Sequence, residues 1–337
     1  MTSISEEIRL QRLAAARFDA ATAQDFQLFL RRTLLTVNPG GRYNHNWHIT
    51  AIAEHLHAAA RGEITRLVIN LPPRMLKSTM VSVAWPAWLL GKDARQRIMV
   101  ASYAQSLATK HSTDCRLVMQ SDWYRRIFPD TRLSDAQNEK DCFATTRRGQ
   151  RLAVSVGGAA IGEGGNILSV DDPLNPLQAS HAVWFDHTFA SRLDDKKTGA
   201  IVVVMQRLHP EDLSGYLLAK GGEHLCLPAI APTMMTIARG SFSYTRSEGE
   251  ALHPAREDVA LLKRTQSEMG SANFAAQYQQ APQKLVGSVV KPWWFRRFDM
   301  GEFGLGAVVP PPDGGRDTQR SFPFRVRGES PNPGTRR

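Results

Sequence analysis

A chain of 337 residues with 42 Lys and Arg against 32 Asp and Glu, a formal charge of +10, has room for two average domains or one large α/β domain with appendages. Apolar residues at 42% and charged residues at 22% exclude a wholly disordered, collagen-like or coiled-coil chain. Three dispersed cysteines (Cys115, Cys142, Cys226) exclude a disulfide framework and a zinc pattern, and the longest apolar run, 80–90, is too short for a bilayer and is broken by Pro86. The mixed-charge N-terminus, with Glu6, Glu7 and Arg9, predicts a cytosolic chain without membrane association. The basic balance points toward a polyanionic partner.

Residues 3–18 and 23–35 place Ile4, Ile8 and Leu13, then Phe26, Phe29, Leu30 and Leu34, at helical spacing. The turn Asn38-Pro39-Gly40-Gly41 closes this N-terminal helical segment, 1–39. A third helix is predicted over 48–61. From Arg66 onward short apolar strands alternate with helices. Strand 66–71 leads through a Pro-Pro turn into a helix from Lys77, strand 97–103 into helix 104–120, and 141–156 reads as a hairpin. Strand 166–170 precedes helix 181–193, and strand 200–205 precedes helix 210–220. Continuous Val and Ile runs between helices predict parallel strands covered on both faces. Residues 40–235 are therefore expected to form one α/β domain, a mostly parallel sheet with helices on both sides. Two further helices, 257–269 and 271–280, are expected in a linker over 236–299. Beyond it, residues 300–337 hold 6 Pro and 7 Gly with no apolar periodicity, which predicts a disordered tail.

Three strand ends carry polar clusters. The first, 71–79 (LPPRMLKST), lies between a strand and a helix, with Lys77 and Ser78 in the order that a phosphate loop needs. Such a loop offers backbone N–H groups to the anion, a Lys to the outer phosphates and a hydroxyl to Mg²⁺. Both glycines of the common G-x-x-x-x-G-K-[ST] pattern are absent, replaced by Leu71 and Leu76. The residues alone also allow a Pro-Pro turn with a solvated Lys77. The second cluster is Asp171-Asp172 at the end of NILSV, one acid suited to Mg²⁺ and one to the attacking water; a plain strand-ending turn before Pro173 is the alternative. The third is Gln206-Arg207 after AIVVVM, where a polar side chain can touch a γ-phosphate. His209-Pro210-Glu211-Asp212 reads as ordinary helix-start chemistry. The joint order, with every cluster at the carboxyl end of a parallel strand, predicts a P-loop NTPase-like site.

Beyond the individual clusters, YNHNWHI (43–49), NLPPRMLKS, RIMVASYAQSLA (97–108), SVDDP, FASRL (189–193), VVVMQRLHPEDLSG (202–215) and NFAAQYQQAP (273–282) together resemble the large terminase subunit of tailed bacteriophages and prophages. The resemblance covers about residues 20–299. It implies an ATPase motor that drives double-stranded DNA into a procapsid, with ATP and Mg²⁺ as cofactors. The implied partners are the portal protein, the small terminase subunit and further copies of the chain in a ring, all in the bacterial host cytoplasm. Carried over residue by residue, Pro73, Arg74, Lys77, Ser78 and Thr79 form the phosphate loop, and Arg74 contacts phosphates or acts as an arginine finger. Ser78 and Asp171 hold Mg²⁺, Asp172 is the catalytic acid of the pair, and Gln206 with Arg207 belongs to the coupling motif. Trp47 and His48 fall in the segment that packs near the adenine; a helix-start aromatic and a cap is the plainer reading of that pair.

Two features depart from the family pattern within the motor. Leu76 stands where glycine is more widespread, and Glu163, in IGEGG, where a basic residue is expected. A left-handed backbone at Leu76 would cost about 1–2 kcal/mol and weaken nucleotide binding. The family's nuclease domain would begin after 294–299, where the Pro- and Gly-rich tail follows instead; the expectation is a truncated chain without nuclease activity. Alternatives to the motor are an inactive prophage remnant that folds without hydrolysing, or a helicase-like DNA translocase. Arg31, Arg32, Arg125, Arg126, Arg147, Arg148 and Arg151 are the candidate contacts to DNA phosphates.

Overall fold

The computed structural model describes residues 4–158, 162–173, 179–283, 298–300 and 306–308. Residues up to Lys284 form one compact unit and those from Leu285 a second. The first unit opens with α1 (Ile4–Gln24), α2 (Phe26–Val37) and α3 (Trp47–Ala60). Asp25 sets the start of α2 by accepting the backbone N–H groups of Gln27 and Leu28 at 2.7 and 3.1 Å. Then follow β1 (Arg66–Asn70), a π-helical turn (Thr79–Ala84), α4 (Trp85–Lys92), β2 (Arg97–Ser102), α5 (Gln105–Gln120) and α6 (Asp122–Ile127). The hairpin region holds β3 (Leu133–Asn138), β4 (Cys142–Thr145) and β5 (Gln150–Ser155). Next come β6 (Ile167–Asp171), α7 (Ala179–Trp184), β7 (Ala200–Met205), α8 (Leu213–Ala219) and β8 (Glu223–Cys226). The unit ends with β9 (Met235–Arg239), β10 (Phe242–Arg246), α9 (Val259–Met269) and α10 (Ser271–Gln277).

Eight strands form one sheet in the order β3-β4-β5-β2-β6-β7-β1-β8. From β5 to β8 every neighbouring pair is parallel, and β3 and β4 add an antiparallel edge. The expected α/β architecture, a mostly parallel sheet with helices on both faces, is present. Strand alternation divides the core. Leu67 and Ile69 with Val202 and Val204 face the layer that contains α2, α3, α4 and α5, whereas Val68, Ile201 and Val203 pack with Phe185, Phe189 and Leu217. Both faces being covered is why β7 reads as an unbroken apolar run and why β6 is buried along its whole length.

Some elements depart from the sequence expectation. The helix that begins at Lys77 passes through the π turn before becoming α4, and the helix expected over 181–193 is broken into α7, a π turn (Phe185–Phe189) and a 3₁₀ turn (Ala190–Arg192). Between 228 and 257, where no regular structure is expected, β9 and β10 pair as an antiparallel hairpin. Buried Arg246 fixes it by donating to the carbonyl oxygens of Pro228 and Glu250 at 2.9 and 2.6 Å. In the second unit the described residues are an antiparallel pair, β11 (Phe298–Met300) and β12 (Gly306–Val308). The rest of 300–337 and the segment 294–297 lie outside the described residues.

Candidate functional site

Parallel strands deliver the site. Asn70, the last residue of β1, is buried and donates to the Met205 carbonyl at 3.0 Å and to Ser214 Oγ at 2.9 Å, locking the start of the 71–76 loop to β7 and α8. In the loop, Arg74 and Leu76 both adopt φ 63°. Left-handed residues alternating with right-handed ones curl a backbone into a concave anion cradle. The helix that follows begins with Lys77, and this lysine is only 8% exposed, so the solvated alternative is excluded. Its ammonium is ion-paired with Asp172.

Asp171 ends β6 with no exposed surface. Ser78 Oγ donates to its Oδ1 at 3.0 Å and Ser82 Oγ to its Oδ2 at 2.7 Å. The buried His111 ring lies 3.5 Å from the same carboxylate, and burial holds that histidine down to about 4, hence neutral. Asp172 turns sharply away at φ 46°, its N–H donating to the Val204 carbonyl at 2.9 Å. Burial raises the pKa of both acids, and Lys77 opposes the rise. Oδ1 of Asp172 is buried without a hydrogen-bond partner, as is Oε1 of Gln206. Hard oxygen donors on Ser78 and Asp171, side by side, suit Mg²⁺.

β7 lies between β6 and β1, so its following residue, Gln206, reaches the same space. A cavity of about 620 Å³ is lined by Pro73, Arg74, Lys77, Ser78, Thr79, Asp172 and Gln206, among others. Thus the loop, one acid of the pair and the glutamine converge, with Asp171 directly behind Ser78. Arg207 faces elsewhere. Its guanidinium is buried against Asp212 at 2.9 Å, and its backbone N–H donates to Gln280 Oε1 at 2.9 Å.

Trp47 and His48 do not line this cavity. Trp47 stacks on Tyr244 at 4.4 Å beneath the Arg246 guanidinium. His48 is buried behind the loop, lining a second, small cavity with Met75 and Leu76; desolvation, with His253 beside it, lowers its pKa to about 3. Residues that sequence reasoning missed include Arg42, Tyr43 and Arg256 on the cavity wall, and Ser82 and His111 on Asp171. Ser82 had a signal, because it lies one helical turn after Ser78; the others had none.

Among the proposed DNA contacts, Arg151 is fully buried, with Nη2 donating to the Ser82 carbonyl at 3.0 Å, and cannot reach an external polyanion. Arg32 and Arg126 both pair with Asp19, and Arg32 also lies over the Trp123 ring at 4.6 Å. Arg31, Arg125, Arg147 and Arg148 are exposed. Glu163 accepts from Gln150 Nε2 at 2.9 Å and lies 3.6 Å from Arg97. No helix among the described residues is long and apolar enough to cross a membrane.

No family model matches the chain, and no curated protein does. Among solved structures it is similar to the HK97 bacteriophage large terminase, with a TM-score of 0.45 and 11% identity over 74% of this chain and 54% of that one. A second similar structure is a point mutant of the ATPase domain of the Thermus phage P74-26 large terminase, with a TM-score of 0.43 and 13% identity over 71% of this chain and 94% of that one. The chain therefore spans about half the length of the HK97 protein.

Proposed function

We propose that the chain is an ATP-hydrolysing motor of the large terminase type. The observation that supports this reading is the convergence of Lys77, Ser78, Asp172 and Gln206, from three parallel strand ends, on one cavity, with Asp171 held behind Ser78. In this reading Ser78 and Asp171 hold Mg²⁺, which supplies charge neutralisation at the phosphates. An incoming triphosphate takes the Lys77 ammonium away from Asp172. Released, Asp172 has a free carboxylate at the cavity wall to orient the attacking water and accept its proton. Arg74 contacts the phosphates, and Gln206 reports their loss to the end of β7 and so to α8.

Double-stranded DNA is the proposed polyanion, met by exposed arginines such as Arg31, Arg125 and Arg147. Portal, small subunit and a ring of further copies are the proposed assembly, in the host cytoplasm. The test is Mg²⁺-dependent ATP hydrolysis by the chain, with and without DNA, beside Lys77→Ala and Asp172→Asn. Asp172→Asn is expected to lower kcat by about 10²-fold or more while retaining nucleotide binding. Lys77→Ala is expected to abolish both. Equal background rates in all three would reject the motor in favour of an inert remnant.

A further inference from the structure

Two guanidinium groups on the cavity wall come from outside the phosphate loop, the acid pair and the Gln206 strand end. Arg42 belongs to the turn before α3 and Arg256 to the loop before α9, more than 200 residues later. With Arg74 they line both the large cavity and the small one behind the loop. All three are exposed, and among the described residues none forms an ion pair. That is unlike Arg32, Arg61, Arg95, Arg97, Arg126, Arg207 and Arg239, each of which holds a carboxylate. The one acid on the large cavity's wall, Asp172, is taken by Lys77. Three unpaired cations around one concavity repel one another until a multiply charged anion enters.

The two distant segments are also fastened together at this place. Asn46 Nδ2 donates to the Leu252 carbonyl at 2.8 Å, and His253 Nε2 lies 3.4 Å from the Asn44 carbonyl. The His253 ring packs 5.6 Å from His48, which lies behind the phosphate loop. Arg256 itself is held through its N–H, which donates to the His253 carbonyl at 2.9 Å, leaving the guanidinium free. A planar guanidinium fork matches tetrahedral phosphate oxygens better than any other side chain does.

We propose that Arg256, seconded by Arg42, is a polyphosphate-binding residue, so that the segment after the sheet contributes to the nucleotide's phosphate site beside the loop. The proposal rests on the nucleotide reading above. Its test is equilibrium binding of a non-hydrolysable Mg²⁺-ATP analogue and of inorganic tripolyphosphate to the full chain. Arg256→Ala, Arg256→Lys, Arg42→Ala, Lys77→Ala and, as a control off the cavity, Arg264→Ala are compared. Arg256→Ala is expected to weaken both ligands about tenfold, Arg256→Lys to recover part of the loss and Arg264→Ala to change nothing. The position is exposed, so thermal melts of the Arg256 variants should match the parent. Unchanged affinity in Arg256→Ala, with binding lost in Lys77→Ala, overturns this inference alone. Binding retained in Lys77→Ala overturns the nucleotide reading and this inference with it.

Discussion

At Leu76 the usual order of residue preferences should invert. Its φ of 63° strains any side chain with a Cβ, by about 1–2 kcal/mol, while its partly buried side chain packs on the main core. Leu76→Gly loses the packing but relieves the strain, so the two effects nearly cancel. Leu76→Ala loses most of the packing and keeps the strain. Urea unfolding should therefore rank Leu76→Gly about 1 kcal/mol above Leu76→Ala, the reverse of an ordinary helical or strand position; equal or opposite ranking would mean that the loop backbone relaxes. The same residue shows what single positions disclosed in advance. Asp171, Asp172 and Gln206 stand out in the sequence because each ends or directly follows an apolar strand, and Lys77 because a short loop after β1 carries it to a helix start; parallel strands bring their carboxyl ends to one edge. The destination of Trp47 was not legible, since its stacking partner Tyr244 lies on a hairpin nearly 200 residues away. Arg256 was equally silent, for a lone arginine in a loop carries no spacing.

Elements were readable in proportion to how completely they are buried. AIVVVM is covered on both sides and announces itself, whereas EHLC, MTIAR and FSYTR carry charges or small residues because β8 is a sheet edge and β9 and β10 form a two-stranded ribbon. Helix starts were legible as local chemistry, but their energetic weight depends on tertiary partners. Asp212 and Asp258 both cap helices, accepting from Gly215 N at 2.9 Å and Leu261 N at 2.8 Å. Asp258 is exposed and does no more. Asp212 is 3% exposed, pairs with the buried Arg207 guanidinium and also accepts the N–H of Leu208. Asp258→Ala should cost about 1 kcal/mol, the value of a cap. Asp212→Ala should cost about 3–5 kcal/mol, because it strands a buried cation as well. Chemical denaturation decides it: similar losses at the two sites would show that the Arg207 pair adds nothing to α8 and the end of β7.

Across the molecule burial lowers the pKa of a set of histidines. His48 is lowered to about 3 and His111 to about 4, and desolvation lowers His55, His57, His224 and His253 as well. In the unfolded chain each would titrate near about 6.5. Below that pH the unfolded state binds protons that the folded state refuses, so stability falls as pH falls. Asp171 and Asp172, raised by burial, act in the opposite sense at the acid end, but the histidines govern the window just below 6.5. Each fully excluded proton steepens the dependence by about 1.4 kcal/mol per pH unit. His48 is the clearest member, 1% exposed and depressed furthest among those with a value. The urea midpoint is therefore expected to drop between pH 7 and pH 5. In His48→Gln the slope of unfolding free energy against pH should be shallower by about 0.7 of a proton's share averaged over that range, whatever the variant's stability at pH 7. A slope identical to the parent's would mean that His48 takes up its proton in the folded state and that the packing around it, against Met75 and Leu76, opens to admit it.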